Sequence, residues 1–572
     1  MAAPEVDDPA IQATTPTPHP ATGHDVEEDE KKVVLAETAS IYSEPVPARR
    51  EPPWLAFLKS LVGVEPARGT PIYRHRGSVP TESDAKSVKA RIWKFFQFLG
   101  PGAIISVAYV DPDNYQTAIS SGASFQFKLL FMVLFSNIIA IYIQSLCVKL
   151  GTVTGMDLAQ MNHRFLPRWL ELALYVVAEA SIIATDLGQV IGTAIALNIL
   201  IPGLPLPAAC VVSVADTLLI LLFYTPTGEL RRIRLFEIFI VLLVSALFIT
   251  LCVALSMVTA PPRDVFRGFV PSSEVFVATG LYEMCAILGG TLMPHALYVG
   301  TALSRARLYD FDAKHSLAPL GSPDSSSSSL AYRPSLRAIK SCLKWSIAEL
   351  ATTLFIVAVF VNSALLIISG AAFYRVEPPD TGLGTGSGDG GSAGGDLDKR
   401  DPGDVVDISD DLYDLYNLFT TSISPAAGTL FAVSLLFSGI TAGIVSTMAG
   451  QVVMEGALNL RISPFLRRLI TRCVAIIPAL VIAVSVGQAG LSRALVACNY
   501  LLAIALIPIT FPLIYYTGRS KMMQVPSDGG TGSVNMKNHI VVALIAWLLW
   551  LLVVVMDIAT VVLAGLGVTD AD

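Results

Sequence analysis

The chain has 572 residues, of which 53% are hydrophobic and 15% charged, and it carries a formal net charge of −7. So few charges, with the apolar residues in long blocks and no amphipathic stripes, exclude an ordinary soluble domain and place it among polytopic membrane proteins. Most of the acid lies in tails and one loop, so the net charge says little, and no nucleic-acid partner is expected. No nucleotide-binding motif or nucleophile constellation points to an enzyme, and no resident cofactor is expected.

Residues 1–85 are polar, with proline repeats and the acidic run Glu27-Glu28-Asp29-Glu30. They bury too little apolar surface to offset ordering entropy and are expected to form a disordered tail. No cleavable signal sequence is visible in this acidic stretch. A transmembrane domain is expected over 92–570. Segments able to span a hydrocarbon core of ~20 residues fall near 98–121, 127–150, 169–199, 205–224, 235–259, 276–304, 343–371, 425–453, 469–487, 492–516 and 539–565, about eleven helices. Basic residues fill alternate loops: Lys86 to Lys94, Arg164 and Arg168, Arg231 to Arg234, Arg305 to Lys344, Arg461 to Arg468, and Arg519 with Lys521. The positive-inside rule then puts the N-terminus in the cytosol and the C-terminus across the membrane. Two inserts read as flexible linkers: 306–336 with its serine run on the cytosolic side, and the Gly/Asp-rich 376–411 on the other. The seven cysteines have no zinc-like spacing and read as reduced packing residues.

The segment from Leu99 to Ala123 is broken at its middle by Asp111-Pro112-Asp113-Asn114. Proline lacks an amide hydrogen and disfavours helical geometry in the residue before it. A carboxylate at mid-membrane depth costs at least ~2.5–3.5 kcal/mol on insertion scales, so it faces a cavity or a partner. Freed carbonyls beside a buried acid make an ion site; an Asp bonded to a neighbouring helix beside a proline kink is the other reading. The sixth segment repeats the pattern at Gly289-Gly290 and Met293-Pro294-His295, at the same place in the second set of five helices. Paired interruptions point to an inverted-repeat transporter with its site at the midplane. Asp111 and Asn114 offer hard oxygens, and carbonyls near Ala108 and Gly290 could add more. Met293 offers a thioether, which favours Mn²⁺, Fe²⁺ or softer divalent ions over Mg²⁺ and Ca²⁺. A core-filling methionine is the alternative there.

The stretches FLGPGAIISVAYVDPDN, QSLCVKLGTVTGMDLAQ, ATDLGQVIGTAIALNILI, FRGFVPS, MPHALYVGTAL, MAGQVVMEG and RRLITRCVAIIPAL together resemble the NRAMP family (natural resistance-associated macrophage proteins), most closely its fungal members. The resemblance covers residues 92 to about 520. It implies an all-α LeuT-like fold of two inverted five-helix repeats plus an eleventh helix, and proton-coupled uptake of divalent metal. It also implies metal ligands at Asp111, Asn114, Met293 and the Gly290 carbonyl, where the family has an alanine. The implied proton route falls on Asp186, His295 and, as best placed, Arg472.

Four departures surround this implied site. The family's DPGN reads DPDN, so Asp113 replaces a glycine; it either joins the ligand set, repels Asp111, or points into the vestibule. A family Glu on the third helix is Gln189, which carries no proton. A family Gln on the eighth helix is Ile440, and one on the tenth is Asn499. The expected activity is therefore Mn²⁺ or Fe²⁺ movement into the cytosol by alternating access, with protons as coupling ion. Two alternatives remain: a harder cation such as Mg²⁺ with weak proton coupling, and a metal sensor that binds without flux. Its partners would be the bilayer and divalent metal ions, with no protein partner legible. Its location would be the plasma membrane or an endosomal or vacuolar membrane. Glu179, Asp216, Glu237, Glu283, Glu349 and Asp557 are read as mostly structural, and His163 and His539 as surface residues.

Overall fold

A computed structural model describes residues 101–213, 230–305, 307–308, 311–312, 315, 333–372, 412–458, 460–461, 464–526 and 532–565, together with Glu65 and Pro66. Apart from those two residues, the tail at 1–85 lies outside this set, as do the insert at 376–411, most of 306–336, Asp216 and the Glu237 side chain.

The described chain is helical apart from two short antiparallel pairings, Glu65–Pro66 with Leu460–Arg461 and Gln524–Pro526 with Ser533–Asn535. The first expected span is split into α1 (Pro101–Val107) and α2 (Pro112–Phe125). Then come α3 (Leu130–Thr154), α4 (Leu158–Phe165), α5 (Arg168–Leu200), α6 (Leu206–Val212) and α7 (Leu230–Ser256). The sixth span is likewise split, into α8 (Ala278–Thr291) and α9 (Pro294–Leu303). The seventh is α10 (Leu336–Leu354), joined through a π turn at Phe355–Val359 to α11 (Phe360–Ala372). A short α12 (Leu412–Leu418) precedes α13 (Pro425–Leu458), α14 (Pro464–Ser485), α15 (Gln488–Gly518) and α16 (Ile540–Gly565).

Seven of the eleven expected spans are long and apolar enough to cross a membrane by themselves among the described residues. The other four are the split first span, the fourth (described only as α6), and the shorter apolar stretches Val241–Ser256 and Leu469–Ser485. The bundle separates inner from outer helices. The most apolar window of Thr279–Leu303 is wholly buried, whereas that of Ile540–Val562 is 22% buried. Exposed Leu544, Leu548, Leu551, Val555 and Ile558 make α16 a peripheral helix with an apolar outer face suited to lipid. On α14 the polarity of a soluble helix is inverted. Ile470, Val474, Ile477, Val481 and Val484 face outward, while the small Ala475, Ala479 and Ala483 pack inward beside Arg472.

Local chemistry sets the helix ends. Gly155 terminates α3 in a left-handed conformation (φ 70°), donating to the Gly151 carbonyl. Asp157 and Gln160 form a reciprocal capping box at the start of α4, and Ser335 caps α10. Beyond α9, Leu308 and Phe311 pack with Ala338 and Cys342, so the described ends of the 306–336 segment belong to a small core. All seven cysteines are free; five are buried, but Cys252 and Cys473 are exposed on the outward faces of α7 and α14. The surface reading of His163 also needs correction: its Nδ1 lies 2.6 Å from the buried Glu171 carboxylate, which Arg168 also holds. His539 is exposed as expected.

Small residues allow α2 and α11 to touch. A Cβ on Gly122 would lie 2.0 Å from Ser369 Oγ and 2.8 Å from the Gly370 nitrogen. Ser369 in turn donates to the Ala118 carbonyl at 2.8 Å. Gly122→Val should therefore wedge the two helices apart and cost about 1–3 kcal/mol. The expected result is a lower thermal midpoint in detergent, read by size-exclusion chromatography after heating.

Candidate metal centre

Between α1 and α2 the chain leaves helical geometry at Asp111 (φ −122°, ψ 166°), the extended conformation that a following proline demands. Asp111 then caps α2: its Oδ1 accepts from the Asn114 amide at 3.0 Å. The carbonyls exposed by the break are taken up from three directions. Tyr109 O accepts from Asn114 Nδ2 at 3.3 Å and from Asn362 Nδ2 of α11 at 3.4 Å. Val110 O accepts from Ser438 Oγ of α13 at 3.1 Å. The Ala108 carbonyl stands four residues before Pro112, whose nitrogen has no hydrogen to return to it.

The second break has the same logic. Met293 caps α9 in extended geometry (φ −75°, ψ 116°), and Pro294 stands four residues after Gly290, depriving that carbonyl of its helical donor. Two amide oxygens converge on Gly290: a Cβ there would lie 2.7 Å from Asn114 Oδ1 and 3.2 Å from Asn499 Oδ1. Asn499, on α15, is held by donating to Thr117 Oγ1 at 2.8 Å and to the Asp113 carbonyl at 3.3 Å. Asp111, Asn114, Met293 and Asn499 are all buried, with exposures of 0%, 6%, 1% and 0%. Asp111 Oδ2, Asp113 Oδ1 and Asn499 Oδ1 are buried without a hydrogen-bond partner among the described residues. Buried polar atoms are ordinarily satisfied, so Asp111 Oδ2 and Asn499 Oδ1 stand out as candidate ligands for a cation. No cluster of three His, Cys, Asp or Glu side chains occurs among the described residues. A divalent ion here would be held by a mixed set of carboxylate, amide, carbonyl and thioether donors.

Asp113 faces the other way. Its carboxylate rests against α5, where a Cβ on Gly188 would lie 2.2 Å from Oδ1 and 2.6 Å from Oδ2. One turn along, a Cβ on Gly192 would lie 2.3 Å from the Pro112 Cβ. The first turn of α2 thus sits on a glycine step of α5, with Asn114 turned toward α8 and α15.

The residues expected on the proton route meet along α5 at 185–189. Asp186 Oδ1 accepts from Ser446 Oγ of α13 at 2.8 Å. Arg472, fully buried on α14, donates from Nη1 to the Asp186 carbonyl and from Nη2 to Gln189 Oε1, both at 3.3 Å. His295, in the first turn of α9, has Nδ1 3.4 Å from Thr185 Oγ1. Ile440 is half-buried on α13. Of the other acids, Glu179 pairs with Arg467 at 2.8 Å, Glu349 with Arg307 at 3.1 Å, and Glu283 accepts from Ser120 and Ser121. Asp557 is buried with Oδ2 unpartnered among the described residues.

Four supporting residues escaped the reading of the sequence: Asn362, Ser438, Thr117 and Gly188. The first three carry a signal, since a polar side chain in an apolar helix needs a partner. Which break each one serves depends on packing.

The family model described as natural resistance-associated macrophage protein-like matches residues 102–563. The chain belongs to this family. It has the family's LeuT-like fold, two inverted five-helix repeats and an eleventh helix, with α1–α2 and α8–α9 as the two broken members. Among its relatives is the manganese transporter pdt1 of Schizosaccharomyces pombe, 41% identical over 488 residues, covering 84% of this chain and 87% of that one. The iron transporter SMF3 of Saccharomyces cerevisiae is 41% identical over 440 residues, covering 76% and 85%. The crystal structure of a mutant manganese transporter from Eremococcus coleocola superposes with a TM-score of 0.65 at 26% identity, covering 85% of this chain and 90% of that one.

The Asp113–Gly188 contact generates a suppression test. Gly188→Ala should push the Asp113 carboxylate aside and lower metal uptake at least about tenfold. Adding Asp113→Gly removes the clash, and the double variant should recover uptake to the level of Asp113→Gly alone.

Proposed function

We propose that this chain carries divalent transition-metal ions, Mn²⁺ or Fe²⁺, into the cytosol by alternating access about the two helix breaks. The observation that carries the reading is the mixed donor set at two proline breaks of a membrane bundle. The chain's similarity to proteins named as manganese and iron transporters supports it. Asp111 supplies the negative charge, Asn114 and the carbonyls of Ala108 and Gly290 supply neutral oxygens, and Met293 supplies sulfur. Asn499 Oδ1, one residue beyond Cys498 on α15, can complete the shell. A thioether is a poor ligand for Mg²⁺ and Ca²⁺ and a tolerable one for Mn²⁺ and Fe²⁺, so it filters the abundant hard ions.

The work is translocation: the ion sheds water at the site and leaves on the other side, and no bond within a substrate changes. Protons are the proposed coupling ion, with His295, Asp186 and Arg472 along their path and Gln189 as a hydrogen-bonding element that carries no proton itself. The basic loops support a cytosolic N-terminus, and the chain would reside in the plasma membrane or an endosomal or vacuolar membrane. A second reading, transport of a harder ion with Asp113 as an added ligand, requires its carboxylate to turn from Gly188 toward Asp111, and its unpartnered Oδ1 is the atom that would coordinate.

Uptake of Mn²⁺ and Mg²⁺ into proteoliposomes at two external pH values separates the readings. Mn²⁺ uptake that grows with acidity and persists in Asp113→Gly is the expected result; Mg²⁺ uptake lost in Asp113→Gly would establish the second. Asp111→Ala should abolish divalent uptake in a protein that still elutes as a single species. Met293→Ala should erode discrimination against Ca²⁺ and Mg²⁺ by about tenfold, equivalent to ~1.4 kcal/mol. Competition by those ions against labelled Mn²⁺ gives the ratio. Gln189→Glu should steepen the acid stimulation of uptake.

A further inference from the structure

Two side-chain amides stand beside Gly290, and each can bind a cation only with its oxygen turned inward. An amide rotated by half a turn keeps its shape and presents NH₂ there instead, with the opposite polarity. Asn114 is fixed by its far end: Nδ2 donates to the Tyr109 carbonyl at 3.3 Å, and a carbonyl only accepts. Asn499 is fixed less directly. Its Nδ2 donates to the Asp113 carbonyl at 3.3 Å and, at the shorter distance of 2.8 Å, to Thr117 Oγ1. A hydroxyl both donates and accepts, so Thr117 taken alone would not decide which way this amide lies. Its single hydrogen, however, is already committed. Thr117 Oγ1 donates to the Asp113 carbonyl, four residues back along α2, at 3.0 Å. Only lone pairs remain toward Asn499, so NH₂ has to face the hydroxyl and Oδ1 has to face away from it. That oxygen lies 3.2 Å from the position of a Cβ on Gly290 and has no hydrogen-bond partner among the described residues. Thr117 and Asn499 are buried, at 3% and 0% exposure, which keeps bulk water from reversing the pattern.

We propose that Thr117 is a positioning residue for the metal centre: its hydroxyl sets the orientation of the Asn499 amide, so that Oδ1 and not NH₂ meets the ion. The proposal rests on the ligand set given above and adds to it a residue that never touches the metal. A reversed amide would turn two partly positive hydrogens toward a divalent cation and aim its oxygen at two others, Thr117 Oγ1 and the Asp113 carbonyl. Removing the hydroxyl takes away the shorter of the two bonds that hold the amide and one of the two oxygens that oppose its reversal. The Asp113 carbonyl alone then has to keep it in place.

The test measures Mn²⁺ binding by the purified full chain in detergent, from the electron paramagnetic resonance signal of the free ion. Thr117→Val keeps the shape and loses the hydroxyl, and it should weaken binding roughly threefold to tenfold, the scale of one buried hydrogen bond. Thr117→Ala serves as a second hydroxyl-free variant should the valine fail to fold. Thr117→Ser restores the hydroxyl and should bind as the wild type does. Asn499→Ala should itself weaken binding, and in that background Thr117→Val should add nothing, since no amide is left to orient. Unchanged binding in the folded hydroxyl-free variants would overturn the proposal. So would weakening that serine does not reverse, or that is equally large without Asn499, because a packing role would give either. A wild-type chain that binds no Mn²⁺ would defeat the ligand set and this inference with it. Uptake is measured separately, so the expected binding pattern in a chain that moves no metal would count against transport and leave the role of Thr117 standing.

Discussion

Two missing hydrogens dominate this molecule. Pro112 and Pro294 each withhold the amide that would close a helical turn at the centre of the bundle, so a carbonyl is left four residues before each. An apolar surrounding makes that expensive unless other groups step in. Around the first break they do: Asn362, Ser438 and Asn114 satisfy the Tyr109 and Val110 carbonyls. What they leave over is the Ala108 carbonyl, and Gly290 has the same standing in the second break. The neighbouring helices therefore stabilise a distortion while leaving its most useful oxygens open.

The glycines and alanines of the core follow from the same need. Holding broken half-helices in place requires their neighbours to come close: Gly122 meets the backbone of α11, Gly188 the Asp113 carboxylate and Gly192 the Pro112 ring. On α5 the glycine step gives α2 two distinct faces. Asn114 looks toward Gly290 and Asn499, and Asp113 looks toward the α5 stretch that also meets Arg472 and His295. One turn of helix thus borders both the proposed ion site and the proposed proton route.

Much of this was legible in the residues alone. The two breaks and their prolines could be read because proline acts locally, whatever the fold. The meeting of Arg472 with Asp186 and Gln189 was placed through family resemblance, and packing then put guanidinium and amide 3.3 Å apart. The direction of Asp113 was not legible: three readings were open, and the choice turns on Gly188, 75 residues away in sequence. Nor could the outward cysteines be told from the buried ones, since Cys252 and Cys473 sit in runs as apolar as those around Cys147 and Cys285. An apolar run does not reveal which of its faces meets protein and which meets lipid. His163 was misread because Glu171, its partner, lies across a turn that begins a new helix.

Backbone oxygens also set how such a site can diverge. Point substitution replaces side chains and leaves the main-chain carbonyl where it was, so the donors at Ala108 and Gly290 persist through almost any exchange at those positions. They disappear only if Pro112 or Pro294 is replaced and the helix heals. On the proposed ligand set, descendants of this chain retune the ion they prefer through Asn114, Met293 and Asn499 one residue at a time, while the oxygen pair stays constant. Preference then changes in small steps, while binding itself depends on Asp111 and on the two prolines.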